Sequence, residues 1–123
     1  MIQIAAMSYV VIVSGVIVFQ FCLIAGAPWG RVTQGGRYEG RLPVAGRAGA
    51  ALSILLLAFM ASGIASAAGI VPNWSMWTAY VALAIQALST TLNWITPSSA
   101  ERRLWGPVTA VMVALAAYVV FAK

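Results

Sequence analysis

Three long stretches of the chain carry no charged side chain, and they constrain the fold more than any other feature. They are residues 1–30, 48–100 and 104–122. A helix needs about 20 predominantly apolar residues to cross a bilayer, so the first and third stretches each hold one span and the second holds two. Val71-Pro72-Asn73 divides the second stretch, because Pro72 disfavours helix at the preceding residue and lacks a backbone N–H.

This pattern predicts an all-α fold, a four-transmembrane-helix bundle that forms a single integral membrane domain over residues 1–123. We place the spans at about residues 4–25, 48–70, 74–96 and 105–122. The composition agrees, since 63% of the residues are hydrophobic and 7% are charged, against roughly half and about a quarter in soluble domains.

The arginines indicate the orientation. Loop one, after the first span, and loop three, after the third, hold all six arginines, whereas loop two holds no charge. Positive residues concentrate in short cytoplasmic loops, so we expect a multi-pass protein of the bacterial inner (cytoplasmic) membrane, with loops one and three cytoplasmic and both termini outside. The arginines are candidates for contact with anionic lipid headgroups or an acidic partner surface. They are Arg31, Arg37, Arg41, Arg47, Arg102 and Arg103.

The two acidic residues, Glu39 and Glu101, lie in the same two loops as the arginines. We expect them to form surface ion pairs between these loops, each contributing at most about 1 kcal/mol. The net charge of +5 is split between short loops and does not form a continuous basic face, so we expect no nucleic acid as a partner.

The two halves of the chain resemble each other weakly. Gln20 precedes Trp29 by nine residues and Gln86 precedes Trp94 by eight, and each helix then leads into an arginine-bearing loop. A tandem repeat of two helical hairpins in the same orientation would explain this likeness. Chance similarity between hairpins under the same bilayer constraints would explain it too.

Polar side chains cluster in the second half of the third predicted span. Gln86, Thr90 and Asn93 recur three or four residues apart and therefore share one helical face. Amides that face lipid would be poorly satisfied, so this face should point into the bundle, where Gln20 of the first span is also a polar candidate. The face either joins helices by hydrogen bonds or lines a path for a small solute or ion, and we favour the first interpretation.

Small residues dominate the second predicted span. Ser62 with Ser66 and Ala65 with Gly69 form small-xxx-small pairs, which let helix backbones approach closely. These four residues predict a helix interface, either with another helix of this chain or with another protein.

Reactive side chains are scarce. No Asp, Glu, Lys or Arg lies within a predicted span, the chain has no histidine, and Cys22 is its one cysteine. This composition argues against a proton-coupled exporter and against a zinc or haem site, so we predict no metal and no cofactor. An enzyme would also lack a nucleophile–base pair. We expect a non-enzymatic accessory or interaction protein, either a homo-oligomer or a subunit of a membrane complex. The alternative is a small channel or facilitator lined by the third span.

Several short motifs resemble those of an uncharacterised group of bacterial four-helix integral membrane proteins. The motifs are Gly26-Ala27-Pro28-Trp29-Gly30, Gly35-Gly36, Leu42-Pro43 and Arg47, and later Asn93, Ser99, Glu101, Arg102, Trp105 and Pro107. The resemblance implies the same helix count and loop placement. It implies no activity and no catalytic or binding residue.

Overall fold

A computed structural model describes residues 1–122 of the chain. The helices are α1 (Ile2–Ala25), α2 (Val44–Ala67), α3 (Met76–Ile95) and α4 (Ser99–Phe121), and residues 1–122 contain no strand. The predicted all-α fold is therefore confirmed. Three of the helices, α1, α2 and α4, are long and apolar enough to cross a membrane.

Two helices begin four or more residues earlier than the sequence predicts. The helix α2 begins at Val44, directly after Pro43, so Arg47 lies in its first turns and not in loop one. The helix α4 begins at Ser99, because the Ser98 hydroxyl accepts a hydrogen bond from the Glu101 N–H at 3.1 Å and caps the helix there. Arg102 and Arg103 consequently belong to α4, and loop three shortens to residues 96–98.

The helices pack in a ring in chain order. The helix α1 packs against α2 and α4, and α3 packs against the same two helices. Most of the core consists of one apolar cluster, which contains residues of all four helices. Its largest fully buried members are Tyr9, Val13, Ile64 and Val119. A second cluster of Leu23, Leu42 and Ala50 lies where loop one meets α1 and α2.

The helices α2 and α3 are tightly joined at the loop-two end of the bundle. A Cβ atom added to Gly63 would lie 2.9 Å from the carbonyl oxygen of Thr78, so only glycine permits this approach. The Ser66 hydroxyl also accepts a hydrogen bond from the Trp74 N–H at 2.8 Å. In contrast, no side chain of residues 51–59 of α2 is fully buried. The two helices are therefore in close contact at one end and leave space between them at the other.

Candidate functional site

Loop one (residues 26–43) is folded, although it contains no α-helix. Two short 3-10 turns, Gly30–Val32 and Gln34–Gly36, follow one another. The Gly30 N–H donates to the Gly40 carbonyl at 2.8 Å, which draws the two arms of the loop together. The loop therefore covers one end of the bundle, where α1 and α3 finish and α2 and α4 begin. We call this end the arginine end, because the six arginines lie in or beside its loops.

Side chains at the start of α4 hold loop one in place. The Trp105 indole N–H donates to the Val32 carbonyl at 2.8 Å, and the Ser98 hydroxyl donates to the Arg31 carbonyl at 2.6 Å. Gly36 (φ 71°) packs so closely on Ser98 that a Cβ atom would lie 2.6 Å from the serine Cβ. A residue other than glycine would be strained there both by its backbone conformation and by this contact.

An aromatic cluster strengthens this attachment. The Phe19 ring of α1 stacks on Trp29 with a centroid distance of 5.6 Å and contacts Trp105 edge-on at 4.8 Å. Loop one is thus held between α1 and α4, and sequence patterns did not indicate this role for the two tryptophans.

A cavity of about 700 Å³ lies beneath loop one, between the four helices. This volume falls within the range of about 300–1,000 Å³ that is typical of ligand pockets. Its helical lining is Val16, Gln20, Ser53, Leu56, Leu57, Met60, Ile85, Gln86, Leu88, Ser89, Leu92, Asn93, Ile95, Glu101, Trp105, Thr109 and Met112. Loop residues Thr33, Gln34, Gly35, Arg37, Thr96 and Pro97 complete it.

The cavity has an apolar side and a polar end. Leu56 of α2 and Leu88 and Leu92 of α3 line it and are also exposed on the outside of the bundle. The cavity therefore opens sideways between α2 and α3, where the two helices leave space. Its polar lining lies under loop one, and includes Gln34 and Glu101.

The polar face of α3 takes part in contacts inside the bundle. Gln86 is 1% exposed, and its side-chain oxygen accepts a hydrogen bond from the Tyr9 hydroxyl at 2.8 Å. The Thr90 hydroxyl donates to the Gln86 carbonyl of its own helix at 2.8 Å and also lies 3.1 Å from the Thr109 carbonyl of α4. Asn93 and Gln20 are half-buried and line the cavity. Three of the four polar residues singled out in the first and third spans therefore line one cavity, and the fourth, Thr90, contacts Gln86.

The small residues of α2 divide into two groups. Ala65 and Ser66 are buried inside the bundle, at 5% and 6% exposure. Ser62 is half-buried and donates its hydroxyl to the Ala58 carbonyl within the same helix. Gly69 lies beyond the end of α2, in loop two with a φ of 80°. Its predicted place on the helical face is therefore wrong, because the helix ends at Ala67.

Most of the arginines contact nearby groups of the chain. The Arg37 guanidinium lies 5.9 Å from the centroid of the Tyr38 ring, and the Arg41 side chain covers Gly26 at the end of α1. Arg47 donates to the Leu42 carbonyl at 3.0 Å and Arg102 to the Thr96 carbonyl at 2.9 Å. Arg31 and Arg103 are exposed.

Glu101 does not lie on the surface, where the sequence prediction placed it. It is 7% exposed, and its carboxylate accepts a hydrogen bond from the Gly35 N–H at 3.3 Å. The pattern Ser98-x-x-Glu101 is typical of a capping box, in which the glutamate would bond back to the serine N–H. Here that N–H donates to Thr96 Oγ1 at 3.3 Å. The carboxylate instead contacts loop one and lines the cavity. The serine–glutamate spacing indicates the start of a helix but does not indicate this burial.

No group of three or more Cys, Asp or Glu side chains that could hold a metal ion occurs within the part of the chain that the structure describes. Cys22 is half-buried in α1 as a free thiol. Comparisons with protein-family models, with curated proteins and with solved structures give no match. The resemblance to a bacterial four-helix group therefore stays a prediction.

Proposed function

We propose that all four helices cross the bacterial inner membrane, with loops one and three in the cytoplasm and both termini outside. The helix α3 has no stretch as apolar as those of α1, α2 and α4, because of its polar face. Its most polar buried group, Gln86, is 1% exposed and hydrogen-bonded inside the bundle, whereas Leu88 and Leu92 are exposed. A helix with inward polar groups and outward leucines suits a bilayer. The arginines at one end support the orientation.

Within the membrane, we infer that the chain acts as a non-enzymatic interaction protein, either as a homo-oligomer or as a subunit of a larger membrane complex. The observation that carries this proposal is the buried hydrogen bond of Tyr9 to Gln86, which joins α1 to α3. The longer contact of the Thr90 hydroxyl with the Thr109 carbonyl of α4 supports it, so the polar face joins helices as interhelical hydrogen bonds do. What the bundle presents outward is apolar helix surface and an arginine-bearing end, which suit neighbouring helices and lipid headgroups.

A small channel or facilitator is the second candidate, because the cavity has a partly polar lining. The half of the bundle beyond the cavity, however, is filled by buried apolar side chains such as Ile64 and Val119. A permeating ion would need polar groups to replace its hydration along the whole path. The geometry therefore favours the interaction protein.

Cysteine labelling tests the orientation. In a Cys22→Ser background, Arg37→Cys and Arg103→Cys should be shielded from an impermeant thiol reagent in intact cells, and Asn73→Cys should react. All three positions are exposed, so shielding would come from the membrane and not from burial. Reaction at Arg37→Cys and Arg103→Cys with protection at Asn73→Cys would reverse the proposed topology.

Two measurements test the function. Native mass spectrometry of protein purified in mild detergent should show a defined oligomer or a complex with a second membrane protein in fixed stoichiometry. Isolated monomers would contradict the interaction proposal. Proteoliposomes should show no ion or solute flux. If wild-type vesicles show a flux that disappears in both Gln86→Leu and Asn93→Leu, with the fold intact, the channel function would be preferred to the interaction function.

A further inference from the structure

The cavity beneath loop one has the shape of a site for a molecule that enters from the lipid. Its side opening between α2 and α3 is formed by exposed leucines, including Leu56 and Leu92. An apolar chain that passes between these residues would stay in contact with hydrocarbon. The polar end under loop one would then receive the headgroup of the same molecule.

The polar end offers hydrogen-bond acceptors. The amide N–H groups of Asn93 and Gln34 donate to backbone carbonyls, to Ser89 at 2.8 Å and to Gly46 at 2.8 Å. Their side-chain oxygens remain as acceptors on residues that line the cavity. With the Glu101 carboxylate, the lining thus includes three side-chain acceptors at this end. They can accept hydrogen bonds from a donor with several N–H groups, and the lining also contains the cation Arg37.

Glu101 supplies the negative charge of the cavity lining. A carboxylate that is 7% exposed is stable when a cation pairs with it. The Glu101 carboxylate accepts a hydrogen bond from the Gly35 N–H at the long distance of 3.3 Å. The Arg37 guanidinium lies over Tyr38, and Arg102 bonds to the Thr96 carbonyl. Because Glu101 lines the cavity, as Arg37 also does, a cationic headgroup inside the cavity can reach the Glu101 carboxylate.

We propose that this cavity binds one amphiphile with a primary ammonium headgroup, taken from the leaflet at the arginine end, with Glu101 as its counter-ion. A primary ammonium has three N–H donors, which match Glu101, Asn93 and Gln34 in number. A bare metal cation would need more oxygen ligands, about six for magnesium or calcium, and would have no use for the apolar opening. The proposal rests on the four-span placement, since only in a membrane does the opening face lipid.

The binding test uses the full chain in mild detergent and short-chain phospholipids of equal chain length. Phosphatidylethanolamine should bind at least about tenfold more tightly than phosphatidylcholine, whose ammonium has no N–H, or anionic phosphatidylglycerol. Glu101→Gln should abolish this preference while keeping an oxygen for the Gly35 N–H. Glu39→Gln is the matched control, because it removes the same charge from an exposed site, and it should bind as the wild type does.

Two further measurements identify the source of the amine and separate loss of binding from loss of folding. Dodecylamine should compete with phosphatidylethanolamine, whereas a protein that binds dodecylamine but fails to bind phosphatidylethanolamine would assign the site to a free amphiphilic amine. Ser89→Phe, which fills the cavity without altering Glu101, should weaken binding of every amine by at least about tenfold. Equal affinity for the three phospholipids, or a preference for phosphatidylglycerol that Arg37→Gln removes, would overturn the proposal. Since binding is measured in detergent, its failure leaves the labelling result on topology unchanged.

Discussion

The contact of Gly63 with α3 yields the sharpest test of the packing. In Gly63→Ala the new Cβ atom would lie 2.9 Å from the Thr78 carbonyl oxygen and 3.1 Å from the Thr78 carbonyl carbon. Ordinary van der Waals contact begins near 3.4 Å, so the two backbones would have to separate by about half an ångström. Overpacking of this kind costs about 1–3 kcal/mol.

Gly15→Ala provides the matched control, since Gly15 also lies inside a long helix but has nothing within 4 Å of its added Cβ. Replacing glycine by alanine favours the helix by about 1 kcal/mol at both sites, and this gain cancels in the comparison. We therefore expect Gly63→Ala to be less stable than Gly15→Ala by about 1–3 kcal/mol. Reversible unfolding in mixed detergent–SDS micelles, followed by circular dichroism, measures the difference. Equal stability of the two variants would refute the close approach of α2 to α3.

Three further predictions concern the bundle and loop one. Tyr9→Phe and Gln86→Leu should show a coupling free energy of about 0.6–1.7 kcal/mol in a double-mutant cycle of unfolding, because they share one interhelical hydrogen bond; additive effects would contradict the bond. Trp105→Phe should speed tryptic cleavage of loop one by about two- to tenfold, as expected for one lost hydrogen bond, whereas the exposed control Trp77→Phe should not. Ala65→Leu should lower the unfolding free energy by about 1–3 kcal/mol, since Ala65 is 5% exposed; an unchanged value would place this side of α2 outside the core.

Local properties of the chain predicted the helices well. The uncharged stretches and Pro72 indicated four helices and the place of loop two, because hydropathy and the proline ring act on neighbouring residues. Helix starts were predicted less well. The α2 start at Val44 and the α4 start at Ser99 precede the predicted spans, because proline and serine caps begin helices before the apolar segment does.

The candidate site was only partly predictable. The periodicity of Gln86 and Thr90 indicated an inward polar face, but it did not indicate which residues of the other helices contact them. Tyr9, which bonds to Gln86, is 77 residues away in the chain. Glu101 was expected on the surface, since an acid in an arginine-bearing loop is usually solvated. Its burial depends on Gly35, which is 66 residues distant.

By itself, the sequence determined that the chain is helical and apolar, that its arginines gather in two short segments, residues 31–47 and 102–103, and that one helix carries a polar face. Each of these follows from residues that are close together in the chain. The tertiary structure alone decided that loop one covers the bundle, that Trp105 holds it across a separation of 73 residues, and that a cavity with a buried carboxylate lies beneath it. Such features arise where segments that are distant in the chain pack together.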